Sequence, residues 1–176
     1  MDFDLAFPLN IVGIFLAFGL LMRLYIWPGL RTLPPDRTLK ILMLPHTFRF
    51  VGLSFLFYGV VAPEFPSKAA VPAAWGDFAA AILALIAIAA VSRRWPLATL
   101  AVWLFNLWGS IDLLYAYYNG IVLHIKPGSF GAAYYIPTVI VPPLLVTHGL
   151  MFWVLIRSRS MERVGLRMNR GLGDRT

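Results

Sequence analysis

Long apolar runs separated by short polar punctuation define this chain. Four runs, at about 8–27, 41–62, 96–119 and 134–156, hold few polar residues, and a fifth at about 75–92 is rich in alanine. Each has roughly the twenty residues that cross ~30 Å of hydrocarbon at ~1.5 Å per residue. Turn-forming groups stand between them: Pro28-Gly29, Pro34-Pro35-Asp36, Pro63 with Pro66, and Lys126-Pro127-Gly128. The pattern predicts an all-α, polytopic membrane protein. Residues 1–157 form a five-transmembrane-helix bundle and residues 158–176 a basic tail.

Charge placement predicts the orientation. Arg23, Arg31, Arg37 and Lys40 surround the first connection, Arg93 and Arg94 form the third, and Arg157, Arg159, Arg163, Arg167, Arg170 and Arg175 follow the last span. With five spans, all of these fall on one side. Lys68 and Lys126 fall on the other, with Asp2, Asp4 and Glu64. Cytoplasmic loops carry the excess of lysine and arginine, so the N-terminus is expected outside the cytoplasm and the tail inside it, in a bacterial inner (cytoplasmic) membrane. The start Met1-Asp2-Phe3-Asp4 lacks the basic region of a secretory signal, so the first run reads as a retained span. Aromatic residues near span ends, such as Trp27, Trp75, Trp95 and Tyr134, fit an interfacial belt.

Composition narrows the chemistry. Hydrophobic residues make up 60% of the chain and charged ones 13%, too few to coat a soluble globule. Without cysteine, disulfides, thiolate catalysis and Fe–S ligation are excluded. Only three histidines are present, His46, His124 and His148, so metal ligation would depend on few candidates, and no metal site is assigned. The net charge of +7 is explained by span-flanking arginines, so no nucleic-acid partner is implied. There is no internal repeat, and five spans do not divide into the two inverted halves common among transporters.

Polar residues inside the runs carry the remaining information, since a charge at mid-membrane costs about 2.5–3.5 kcal/mol and normally faces protein or water. Arg49 stands nine residues past Lys40, ~13 Å into the membrane on a straight α-helix. His46 shares its face. Asp112, eighteen residues past Arg94, falls at ~27 Å by the same count. Two layers are therefore expected. The inner one gathers Arg49, His46, Asn106 and His148. The outer one gathers Asp77, Asp112, Tyr115 and Asn119, with Tyr134, Tyr135 and Thr138. An Arg49–Asp112 contact would need tilting or an irregular helix. Asp77 reads first as a helix cap near the outer mouth, and Gly76, Ala80 and Ala84 as a close-packing ridge. Asn106 and Ser110 lie roughly 120° around the fourth run from Asp112, so that helix is expected to be central. Pro142 and Pro143 are expected to break the fifth.

These residues suggest an intramembrane pocket for a hydrophobic or lipid-like small molecule. Asp112 would exchange protons, Arg49 would stabilise an anion, and His46 or His148 would relay. Asn106, Ser110, Tyr115, Asn119, Asp77, Tyr135 and Thr138 would line the pocket. No cofactor is identified by these residues. Other readings are an accessory or assembly subunit of a membrane complex, docking a membrane-protein partner or a second copy, a b-type haem between His46 and His148, and proton or ion translocation.

Because the chain has no cysteine, sidedness can be read without background. Asp4→Cys should react with a membrane-impermeant maleimide on intact spheroplasts, and Arg94→Cys only after lysis. The opposite pattern would reverse the orientation.

Overall fold

The computed structural model describes the backbone of residues 3–173 and the side chains of residues 5–158. Five helices are long and apolar enough to cross a membrane: α1 (Leu5–Leu30), α2 (Pro35–Leu56), α3 (Ser67–Ser92), α4 (Ala98–Val122) and α5 (Ile136–Ser158). The last continues as helix to Gly173. The described residues contain no β-strand. Arg157 lies over the Trp153 ring at 4.9 Å. The tail arginines from Arg159 onward lie outside the described side chains.

Two boundaries differ from the hydropathy pattern, and both shifts matter. Helix α2 covers 35–56 rather than 41–62, because Pro35 opens it at the first helical position, where a missing N–H costs nothing. Residues 57–62 leave the helix to pair with a second loop. Ala62 N donates to Ser129 O at 3.0 Å and Ala132 N to Val60 O at 2.8 Å. Gly131 sits at φ +52°, where a Cβ would run into the Val60 carbonyl. Helix α3 likewise starts at Ser67, eight residues before Trp75. The end of the bundle that holds these loops is termed the N-side, and the opposite end the C-side.

Helix α2 is α-helical only to Met43, then 3₁₀ from Leu44 to Leu56. Pro45 has no N–H, so the Ile41 carbonyl loses its i+4 donor. The Leu44 amide bonds both Ile41 O and Lys40 O, which tightens the turn. With three residues per turn, positions i and i+3 eclipse. His46, Arg49, Gly52 and Phe55 therefore form one straight column, and they are the buried residues of this segment. On an α-helix, at 100° per residue, Phe55 would face away from His46.

Helix α3 occupies the centre, with half of its most apolar window buried, against a third for α4 and 6% for α1. Its small residues Ala74, Ala80, Ala81, Ala84 and Ala87 have no exposed surface, which lets α2 and α4 approach closely. The expected centrality of α4 is thus corrected. Its Leu104, Ile111, Leu114 and Tyr118 face outward. Ser110 needs no neighbouring helix, because its hydroxyl bonds Asn106 O within α4 at 2.6 Å.

Helix α5 breaks earlier than Pro142. A π-turn occupies Ile136–Ile140, and the two prolines open the α-helix that follows. Val141 N bonds Ile136 O, and Pro142 has no donor, so the Pro137 carbonyl is left free. Tyr117 of α4 supplies the donor, its hydroxyl bonding Pro137 O at 2.7 Å.

Two apolar cores result. The C-side core joins Leu42, Met43, Ala84, Ala87, Val102, Phe105, Met151 and Leu155. The N-side core joins Phe55, Ala74, Leu113, Phe130, Ile136 and Leu144. Between them lies a polar layer.

Candidate functional site

Arg49 is the centre of that layer, with 1% of its surface exposed. Its Nε donates to Asp77 Oδ1 of α3 at 2.6 Å, its Nη2 to Asp112 Oδ2 of α4, and its Nη1 to Gly109 O of α4 at 3.3 Å. One guanidinium thus ties three helices. Their side chains leave Asp77 and Asp112 only 9% and 12% exposed. Burying a charge this way is tolerable only when it is paired and hydrogen-bonded.

The depth estimate that separated Arg49 from Asp112 is corrected by the helix ends. Arg49 is seven residues from Leu56, or ~14 Å at ~2.0 Å per 3₁₀ residue. Asp77 is ten residues from Ser67, and Asp112 ten from Val122, each ~15 Å at ~1.5 Å per residue. All three share one level. Asp77 is accordingly not a helix cap, since α3 begins ten residues earlier.

Three glycines make room for this cluster. A Cβ on Gly52 would collide with the Asp77 carboxylate, and one on Gly76 with that of Asp112. A Cβ on Gly109 would stand 2.6 Å from His148 Nε2 and 2.9 Å from Arg49 Nη1. Arginine and histidine therefore converge on one spot above Gly109.

From there the polar layer continues toward the C-side. Asn106 turns its amide N–H to His148 O at 3.4 Å, so its Oδ1 accepts from His148 Nδ1 at 2.6 Å. Thr147 directs its hydroxyl to Leu144 O at 2.8 Å, and thus accepts from His46 Nε2 at 2.9 Å. These bonds fix both tautomers and leave His46 Nδ1 and His148 Nε2 buried without partners. The two rings are 4.2 Å apart, and Phe105 packs against both. The two expected layers are therefore one seam running from the aspartates through Arg49 to the histidine pair. It ends on the apolar C-side core.

The seam does not fit a haem. A macrocycle ligated by both histidines has to lie between their rings, and those rings touch each other.

Beside the aspartates opens a cleft of about 780 Å³. Phe7, Ile11 and Phe15 of α1 line it together with Phe55, Phe65, Leu113 and Phe130, and Phe7 stacks on Phe130 with ring centroids 5.4 Å apart. Asp77 and Asp112 line it deep inside, Tyr117 and Pro137 flank it, and the exposed His124 and Lys126 stand among its lining at the N-side loop. Arg49, His46 and His148 do not line it. The other expected lining residues scatter. Tyr115 is 49% exposed and stacks on Tyr118, while Tyr135 is 65% exposed against Tyr134. Thr138 is buried but bonds Tyr134 O at 2.7 Å, and Asn106 and Ser110 serve the seam and their own helix. Asn119 is buried on α4, one turn past Tyr115, and is not part of the lining.

Several contributors escaped the sequence reading: Gly109, Tyr117, Thr147, and Trp108, whose Nε1 donates to Gly76 O at 3.3 Å. The available signal was a glycine within three residues of each of these charges inside an apolar run: Gly52 after Arg49, Gly76 before Asp77, Gly109 before Asp112.

Overpacking a filled site costs about 1–3 kcal/mol. Gly52→Ala and Gly76→Ala should each destabilise by at least that much in thermal unfolding of the detergent-solubilised protein. Gly13→Ala, which meets open space, should be neutral or stabilising by about 0.5–1 kcal/mol.

Residues 6–156 match the family described as Domain of unknown function (DUF8737). Neither a curated protein nor a solved structure matched the chain. With the family match extending from the start of α1 to near the end of α5, the protein belongs to the DUF8737 family.

Proposed function

We propose that this is a multi-pass protein of the bacterial inner membrane, N-terminus outside and C-terminus in the cytoplasm, that binds a hydrophobic or lipid-like small molecule in the cleft between α1 and α3–α5. The observation that carries this reading is the cleft itself. Its volume falls within the roughly 300–1,000 Å³ typical of small-molecule pockets, and a few polar groups interrupt mainly aromatic and aliphatic walls. Helix α1, the least buried of the five, packs mainly along α5 and closes one side. A molecule dissolved in the bilayer then has a lateral route in past Phe7 and Phe15.

Arg49 acts here as a structural anchor instead of an anion-stabilising group, because each of its nitrogens already has a protein acceptor. The histidines belong to the same anchor. Ligand contact, and any proton exchange with the ligand, falls to Asp112 and Asp77.

Native mass spectrometry of gently extracted protein tests the reading. Wild type should carry a copurifying small molecule, and Ala73→Trp, which places an indole on a residue lining the cleft, should lose it while remaining folded by circular dichroism. A bare wild type, or equal occupancy in the variant, would overturn it.

A further inference from the structure

The polar end of the cleft offers acceptors and no donors, and this restricts what it can hold. Asp77 Oδ1 and Asp112 Oδ2 are taken by Arg49. Asp77 Oδ2, packed over Gly52, and Asp112 Oδ1, packed over Gly76, receive no hydrogen bond among the described residues, and both residues line the cleft. The guanidinium lies behind them, 1% exposed and outside the lining. The neighbouring donors are spent inside the protein. Tyr117 serves Pro137 O, and Trp108 serves Gly76 O.

Charge points the same way as the hydrogen bonds. With both carboxylates ionised, two negative charges meet one positive charge, and the seam contributes only imidazoles, an amide and a hydroxyl. In that state one negative charge is left beside a mainly apolar cleft, where an uncompensated charge is expensive. An anionic or purely acceptor headgroup would add repulsion. A protonated amine would neutralise the excess and supply donors to both free oxygens. The aromatic walls next to it suit an apolar body and attract a cation as well.

We propose that the cleft selects amphiphiles that carry a protonated amine, seated against the Asp77 and Asp112 carboxylates with the apolar portion along Phe7, Phe15, Phe55 and Phe130. This rests on the cleft being a ligand site. Lys126 and His124, toward the N-side loop, lie on exposed chain and bear on entry rather than on the buried headgroup.

Isothermal titration of the full chain in phosphatidylcholine nanodiscs, with empty nanodiscs subtracted, separates the two claims. Three probes share one tail: dodecylamine, dodecanol and dodecanoate. The expected order is amine at least tenfold tighter than alcohol, with dodecanoate weakest. Asp112→Asn should remove most of the preference for the amine over the alcohol. The wild-type order stands as a test even where that variant fails to fold. Equal binding of all three, or tightest binding of dodecanoate, would refute amine selection while keeping the cleft as a ligand site. Binding of none of them would refute both.

Discussion

A single buried guanidinium governs the organisation of this bundle. Arg49 lies where water does not reach, and its charge is held by two carboxylates and a carbonyl from two neighbouring helices. An unpaired charge there would cost several kcal/mol, a large share of the marginal stability of a domain. Helices α2, α3 and α4 are thus constrained in register and rotation by one side chain. The apolar packing on either side gives stability but little direction, since lipid is as apolar as the helix faces. Polar pairing supplies the specificity.

Other local features serve that constraint. The 3₁₀ stretch of α2 aligns His46, Arg49, Gly52 and Phe55 on one column. It also lengthens the rise per residue, which brings Arg49 to the level of the aspartates. Gly52, Gly76 and Gly109 remove the methyl groups that would occupy the same space. In α5, the π-turn frees a carbonyl that Tyr117 completes, so an irregular backbone at this depth is satisfied by protein rather than by water. The cleft opens beside this rigid frame. Its chemical character follows from the same pairing, because Arg49 is buried away from the cleft while Asp77 and Asp112 are among its lining.

Much of the fold was legible from hydropathy alone. Five helical runs, the loops between them and the charges inside the apolar runs follow from residue type and spacing. What could not be read was the backbone geometry of α2 and where its ends lie. Depth counted from Lys40 assumed α-helical rise and an outer end near Ala62, so Arg49 appeared far from Asp112. A shift of six residues and a tighter helix remove that gap. Among the candidate residues that failed to converge, Tyr115 and Tyr135 share a simple cause. Both are aromatic residues with a polar tip near a span end, which are as well suited to the membrane interface as to a cavity. Those that converged, Arg49, Asp77, Asp112, His46, Asn106 and His148, have no comparable alternative to protein partners.

The most direct test compares two variants by equilibrium unfolding in mild detergent. Arg49→Met should lose about 3–5 kcal/mol, because it strands two buried carboxylates. The triple variant Arg49→Met, Asp77→Asn, Asp112→Asn should recover more than half of that loss, since no charge is then left unpaired. An Arg49→Met protein as stable as wild type, or a triple variant less stable than Arg49→Met, would contradict the central place given to this ion cluster.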